Sequence, residues 1–299
     1  MEQHIPKTYI QDIEKRLNIL FNYDKYTCKP TTRDELSDII NKRIHKYGVD
    51  VQLNDIDTSL ITNMSELFTF TNYSGDISRW NVSNVNNMSE MFCGCENFNC
   101  DLSSWNVSNV IDMHGMFYRC KNFNCDLSKW DVSKVTNMKC MFWNSIFNGD
   151  ISKWDVSNVT NMIGMFYYSK FNGDISQWNV SKVKNMTSMF CYSEFTGNIS
   201  KWDVSNVTNM GGMFAHSKFN GDISKWNVSH VIDMDSMFAH SIFNDNISNW
   251  DVHNVKNMNM MFMNCENFNC DLSKWNIRNI SNTNNYMFEG CDKFKYNIW

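Results

Sequence analysis

The sequence has only 2 prolines and a net charge of −5. It lacks any apolar run close to the ~20 residues that a membrane-spanning helix needs. It also lacks the basic excess with which proteins recruit nucleic acid or an anionic membrane. The N-terminus, MEQHIPKTYIQDIEKRL, has no basic segment followed by an apolar one, so we expect no signal peptide. These absences predict an intracellular protein that binds neither nucleic acid nor a membrane.

Catalytic motifs are missing as well. The chain contains no G-x-x-x-x-G-K-[ST], H-E-x-x-H, G-x-S-x-G or C-x-x-C pattern. Its titratable residues do not cluster along the sequence in a way that predicts a catalytic pocket. We therefore expect that the protein is not an enzyme and that it uses neither a cofactor nor a metal.

What the sequence does contain is one motif repeated along most of its length. A tryptophan follows Ile/Leu-Ser-x at intervals of 24 or 25 residues, and between tryptophans the pattern is W-x-V-S-x-V-x-x-M-x-x-M-F, a variable stretch, then F-N-x-D-I-S. So short a period is typical of a repeat solenoid in which each unit is one coil. The tryptophans, which we predict to form a structural ladder, are Trp80, Trp105, Trp130, Trp154, Trp178, Trp202, Trp226, Trp250 and Trp275.

One coil cannot fold alone. Burying each of its apolar side chains contributes about 1.5–3 kcal/mol, whereas fixing its backbone costs about 1–2 kcal/mol per residue. Neighbouring coils must therefore supply further buried surface and hydrogen bonds. Alternation in F-N-x-D-I-S predicts a short parallel strand. The segment V-x-x-M-x-x-M-F predicts a second short extended edge that passes into a tight helical turn at M-x-x-M-F. The eight apolar positions, in one coil, are Trp154, Val156, Val159, Met162, Met165, Phe166, Phe171 and Ile175.

Units such as DISKWDVSNVTNMIGMFYYSKFNG, together with LNDIDTSLITNMSELF at 53–68, resemble the BspA-like leucine-rich-repeat family. These are the DUF285 repeats of bacterial surface proteins, which also occur in protists and large DNA viruses. The resemblance covers residues 51–299 and implies a leucine-rich-repeat-like solenoid of about ten coils. It also implies a non-catalytic surface that binds a host or partner protein. For a viral member, it places the protein in the host cytoplasm or the virion.

Residues 1–50 are predicted to form a helical N-terminal cap on the 51–299 solenoid, because an exposed terminal coil would leave apolar side chains bare. Thr32 and Glu35 have capping-box spacing, and Gly48 stands where that helix should end. A separate partner-binding helical module is the alternative. The apolar stripes of the two predicted helices are Ile10, Ile13, Leu17 and Leu20, and then Leu36, Ile39, Ile40, Ile44 and Tyr47.

The C-terminal coil is degenerate, since Thr283 stands where a methionine is expected. Either this coil caps itself, or it pairs with a second copy and gives a twofold homodimer.

Paired cysteines occur only in the 25-residue coils, in the sequences CENFNC and CKNFNC. We interpret them as structural thiols that fill the space created by the extra residue. Disulfides and a zinc site are the alternatives, although the spacing does not suit a standard zinc site. They are Cys95, Cys100, Cys120, Cys125, Cys265 and Cys270.

Just after the Phe of M-x-x-M-F, an otherwise repetitive coil varies in sequence. Aromatic and histidine side chains recur there, and Tyr and Trp are favoured at binding hot spots. We predict that this ring row is a partner-binding surface; the alternative is that its rings only cover the core. The ring row consists of Tyr118, Trp143, Tyr167, Tyr168, Tyr192, His216 and His240.

Opposite charges flank the tryptophans, for example Lys153 and Asp155 around Trp154. We predict that they form a solvated, mutually paired face, with each pair contributing little stability. The favoured function is thus a protein–protein interaction scaffold, and the alternative is a structural or self-assembling protein.

Overall fold

A computed structural model describes residues 26–281 and 286–296. Within these ranges there is one helix, α1, at Arg33–Tyr47. The rest consists of turns and irregular segments, and isolated parallel bridges join each coil to the next. The first predicted helix, with Ile10 and Leu20, lies outside the described residues. No described helix is long and apolar enough to cross a bilayer.

Helix α1 begins and ends close to where the sequence predicts. The Thr32 side chain accepts a hydrogen bond from the Glu35 N–H at 3.2 Å. The return bond of the capping box is displaced by one residue, because the Glu35 carboxylate accepts from the N–H of Thr31 at 2.7 Å. At the other end, Gly48 has a φ of 95° and donates its N–H to the Ile44 carbonyl. A side chain at that φ would be strained.

Helix α1 packs on the first coil. Leu36 and Ile40 are fully buried in the same core as Leu53 of that coil. Arg43 forms a salt bridge with Asp55, which is almost completely buried. These contacts fix the helix over apolar side chains that would otherwise face water.

The core runs without interruption along the stack. Each of the eight apolar positions is buried in coil after coil, as the sequence predicts. The rings also stack on their equivalents in the next coil: the centroids of Phe142 and Phe166 are 5.8 Å apart with planes 7° apart, and Phe166 and Phe190 repeat this spacing. Because each Phe has a ring above and a ring below, the core is continuous between coils.

A one-directional ladder of backbone hydrogen bonds joins the coils at M-x-x-M-F. The N–H of Gly164 donates to the Thr187 carbonyl at 2.8 Å, and the N–H of Phe166 donates to the Met189 carbonyl at 3.0 Å. One more bond lies on each side, and the set of four recurs at eight successive junctions. In all of them the N–H groups point towards the C-terminal coils, so the carbonyls point towards the N-terminus.

This ladder is built from turns and not from extended strands. In each coil, the second residue before the recurring Phe and the second residue after it have left-handed φ values between +51° and +73°. With this backbone the N–H groups of every second residue face the next coil, whereas the N–H of Met165 donates to Met162 and that of Tyr167 to Gly164 within their own coil. The predicted helical turn at M-x-x-M-F is therefore replaced by a pleated run of turns.

Among the described residues, no coil precedes the first one at the carbonyl end of the ladder. Arg33 of α1 donates its Nε–H to the Ser65 carbonyl at 2.7 Å. A cation thus lies at the carbonyl end of the ladder, where the aligned peptide dipoles favour positive charge.

Within the described residues no strand forms at F-N-x-D-I-S, contrary to the prediction. The parallel bridges lie instead at the Asn or Asp that precedes the first Met, as between Asn161 and Asn185. The reason is that side chains hold the F-N-x-D-I-S segment. The Ser152 N–H donates to the Asp150 carboxylate at 2.9 Å. The Asn172 N–H donates to the side-chain carbonyl of Asn148 in the preceding coil at 2.7 Å. Asn and Asp thus take over backbone bonds that a strand would have made.

Candidate functional site

The ring row follows the hydrogen-bond ladder, because its residues come one or two positions after the recurring Phe. Six of its seven rings lie on successive coils and contact one another in series. Their centroid distances are 5.8 Å for Tyr118–Trp143, 3.8 Å for Trp143–Tyr167, 5.8 Å for Tyr167–Tyr192, 4.1 Å for Tyr192–His216 and 4.4 Å for His216–His240. The structure therefore places in one continuous row side chains whose first and last members lie more than a hundred residues apart in the sequence.

The row has a half-buried part and an exposed part. Tyr118, Trp143 and Tyr167, one residue after the Phe, are half-buried. Tyr168 and Tyr192, two residues after it, are 59% and 42% exposed, and His216 and His240 are exposed as well.

Small side chains accompany the exposed rings. Where Tyr192, His216 and His240 occupy the second position, the first holds Cys191, Ala215 and Ala239, which are buried and form a small cluster of their own. Trp143 instead lies over Gly164 of the next coil, where an added Cβ would meet the indole ring at 2.6 Å. Small residues beside a ring, or in the next coil, thus leave room for it.

Ring faces in this row are largely occupied. The planes of Tyr192 and His216 lie 7° apart, as do those of His216 and His240. Tyr168 is inclined at 51° to Tyr192. The row therefore offers ring edges with their O–H and N–H groups, and it offers few open faces on which a sugar or base could stack.

Every exposed ring in the row has a left-handed backbone. The φ values are +51° for Tyr168, +56° for Tyr192, +54° for His216 and +56° for His240. A left-handed conformation costs an ordinary residue roughly 1–2 kcal/mol relative to a right-handed one, and Gly avoids most of that cost. Other coils have Phe70, Gly94, Arg119 or an Asn at this position, so the fold does not itself require a ring there.

Charged side chains border the rings on one side. Two positions beyond the exposed rings, Glu194 forms salt bridges with Lys170 at 2.6 Å and with Lys218 at 3.3 Å. Nearer the N-terminus, Glu96 forms salt bridges with Lys121 at 2.7 Å and with Arg119 at 3.7 Å. Four cations thus share two carboxylates along this border.

The two histidines influence each other. Burial lowers the pKa of His216, and the neighbouring His240 lowers it further, because a charge on one imidazole would face the other. Nε2 of His240 lies 3.4 Å from Nδ2 of Asn264. In the described part of the chain, no three His, Cys, Asp or Glu side chains converge in a way that could hold a metal ion.

The paired cysteines have no disulfides in the described ranges. The first cysteine of each pair is buried and donates its S–H to the carbonyl of the recurring Phe in the preceding coil, as Cys95 does to Phe68 at 2.8 Å. The second is half-buried, and the Sγ of Cys125 lies 2.9 Å from the Cys100 carbonyl. Cys120 and Cys265 repeat the first arrangement, and Cys270 holds the second position of the last pair.

The residue at the second position differs between coils of different length. Most 24-residue coils hold a glycine there, such as Gly149, where an added Cβ would meet the Phe147 ring at 2.9 Å. One 24-residue coil holds Asp245 instead, whereas the 25-residue coils hold a thiol.

The predicted tryptophan ladder is buried throughout, and none of its nine members is more than 6% exposed. Each indole N–H donates to a carbonyl of the preceding coil, as Trp178 does to Ile151 at 3.1 Å. These side chains hold adjacent coils together and lie away from the surface.

The predicted charge pairing around the tryptophans is wrong. No salt bridge joins these Lys and Asp side chains within the ranges described. Asp155 instead accepts the Ser157 N–H at 3.0 Å, and Asp131 and Asp203 make the same turn. A fixed local N–H competes better for a carboxylate than a mobile lysine does.

Sequence reasoning missed the charged border of Lys170, Glu194 and Lys218. Its signal was available, since these residues recur at 24-residue spacing two positions after the ring row. The left-handed backbone was also missed, although the Gly and Asn found at the same position in other coils indicate it.

A family described as "Mycoplasma protein of unknown function, DUF285" matches this chain in three overlapping segments, at residues 41–146, 126–216 and 191–299. Comparison with curated proteins and with solved structures found no match. The three segments together include every coil that contributes to the ring row. The chain belongs to the DUF285 family.

Proposed function

We propose that this protein is a non-catalytic scaffold for protein–protein interaction, built as a BspA-like, leucine-rich-repeat-type solenoid, and that the ring row is its contact surface. The observation that carries the proposal is the set of exposed rings at left-handed positions. Tyr168, Tyr192, His216 and His240 bear a conformational cost that Gly or Asn would lower. Residues that are exposed and conformationally costly add little to stability, so a role in binding explains them better.

The geometry suits a macromolecular partner. The ring row extends across six coils, and four of its seven rings are exposed. Tyr side chains give large contact areas at small entropic cost. Among the half-buried members, Tyr167 stacks on Trp143 and contacts the exposed Tyr192. We propose no catalytic role, cofactor or metal for this surface.

The proposal is tested by affinity capture from lysate of the source or host cell. Wild type is compared with a variant carrying Tyr168→Ser, Tyr192→Ser, His216→Ser and His240→Ser. A matched control carries Lys153→Ser, Lys201→Ser and Lys225→Ser, which change exposed side chains beside the tryptophans. Circular dichroism and thermal unfolding verify that all three proteins are folded.

The expected result is a partner retained by wild type and by the control, and lost by the ring variant. A partner that the ring variant retains would place the binding surface elsewhere. Capture of the bait alone would favour self-assembly.

Self-assembly has one observation of its own. Phe288 and Phe294 are half-buried, whereas the equivalent Phe262 and Phe268 are fully buried. A second copy seated on this coil would cover both rings. If wild type is a dimer in sedimentation analysis, Phe294→Glu should leave it monomeric; a dimer that survives this change would exclude this coil as the interface.

A further inference from the structure

We propose that the segment recognised by the ring row is an acidic peptide in extended conformation, laid along the stack axis. This inference rests on the proposed function and specifies the chemistry of its partner. It depends on three features of the described surface: the orientation of the rings, the charges beside them and the length of the row.

The rings point their edges outwards. Stacking at 4.1 Å and 4.4 Å occupies the faces between Tyr192, His216 and His240. The rim of an aromatic ring carries the positive part of its quadrupole, and the Tyr and His edges bear O–H and N–H donors. Such a row attracts acceptors and negative charge, and it offers little to a sugar or base that must stack on an open face.

The charged side chains beside the rings also favour a negatively charged ligand. Among the described residues, the salt bridges of Arg119, Lys121, Lys170 and Lys218 go to two carboxylates, Glu96 and Glu194. Because Lys170 and Lys218 share Glu194, each lysine can form a salt bridge with a further carboxylate. The border is therefore locally cationic on a chain whose net charge is −5, and this contrast favours an acidic ligand at this place.

The dimensions set the length of the ligand. From Tyr118 to His240 the row crosses five junctions between coils, which span roughly 24 Å at the ~4.8 Å spacing of parallel-paired chains. An extended peptide covers that distance with about seven or eight residues. A linear row with one or two ring edges on each coil fits an extended segment better than a compact one.

The probe is a fluorescein-labelled octapeptide of glutamate, compared with octapeptides of glutamine and of lysine, and binding is measured by fluorescence anisotropy at pH 7. We expect wild type to bind the glutamate peptide at least tenfold more tightly than either of the others. We also expect the affinity to fall as salt is raised, because these charges are exposed.

Two variants carry the same change of net charge. Lys170→Gln with Lys218→Gln removes the border cations; Lys201→Gln with Lys225→Gln removes exposed cations beside Trp202 and Trp226. The first should weaken glutamate-peptide binding at least tenfold, and the second should change it less than twofold.

Equal loss in both variants would show attraction to overall charge alone and would overturn the inference, as would equal binding of the glutamine peptide or no binding at all. Failure of the acidic-peptide proposal can be distinguished from failure of the proposed function. If the ring variant loses a captured partner but the glutamate peptide does not bind, the row binds proteins by other chemistry.

Discussion

Because the backbone is left-handed at the exposed rings, we expect Gly to be more stable than Ala there, the reverse of the usual order. Tyr168 has a φ of +51° and is 59% exposed. Changing it to Ala or to Gly removes the same ring, so the difference between these two variants reports only the Cβ. Left-handed φ costs Ala roughly 1–2 kcal/mol, and the greater freedom of unfolded Gly returns about 0.5–1 kcal/mol of that. We expect Tyr168→Gly to be the more stable variant by about 0.5–1 kcal/mol.

The control is Lys153, which is exposed and does not have positive φ. There the order should reverse, with Lys153→Ala more stable than Lys153→Gly by a similar amount. Thermal unfolding followed by circular dichroism measures both pairs. For a domain of this size, the Gly variant at 168 should melt about 1–4 °C above the Ala variant.

Equal stability, or a more stable Ala variant at Tyr168, would refute this reasoning. It would mean that the residue is not left-handed, and that the ladder does not have the alternating geometry that presents the rings. The exposed rings would then bear no conformational cost that a role in binding has to explain.

Three further predictions concern the coils and their cap. A hydrogen-bonded salt bridge from Lys29 lowers the pKa of Asp57 to about 2. The stabilisation that Asp57 provides is therefore complete above its unfolded pKa of ~3.9 and is lost as pH falls through about 2. As pH falls through this window, the free energy of unfolding should decrease less for Asp57→Asn than for wild type. An equal decrease in both proteins would contradict the prediction. Burial raises the pKa of Cys100 to about 12 and that of Cys125 to about 11. Iodoacetamide at pH 8 should therefore modify them only after denaturation, as mass spectrometry can check; rapid modification of the native protein would show the thiols to be open. Trp178→Phe removes the donor to the buried Ile151 carbonyl and should cost about 1–3 kcal/mol in urea unfolding, so a loss below 0.5 kcal/mol would mean that the ladder bond contributes little.

The core positions could be predicted from the sequence because a repeat displays its pattern many times. From Trp80 to Trp250, each Trp is followed after 11 residues by the Met equivalent to Met165 and after 17 or 18 by the Phe equivalent to Phe171. Apolar residues with so regular a spacing must lie inside a stack. The start of α1 followed from Thr32 and Glu35 for a similar reason, since capping depends on residues close in sequence. The ring row was identified as the variable position of an otherwise repetitive coil, and its role in binding remains a prediction.

The errors have one physical source. Alternation in F-N-x-D-I-S has the period of a strand, but side chains such as Asp150 and Asn148 satisfy the backbone there. The lysines beside the tryptophans had carboxylates in reach, but Asp155 was already bonded to a local N–H. In both cases short-range Asn and Asp turns take precedence over the pairing that a periodic pattern favours.

The sequence by itself determined that this chain is a repeat protein, which residues each coil buries and where the coils vary, because all of these follow from periodicity. Only the tertiary structure decided how adjacent coils contact each other and which parts of the variable side chains face the solvent. Stacking places Tyr192, His216 and His240 face to face, so their edges, and not their faces, meet the solvent. It also brings Lys170 and Lys218 to one carboxylate. Contacts between residues 24 positions apart depend on the exact rotation from one coil to the next, and hydrogen bonds and packing along the whole stack set that rotation.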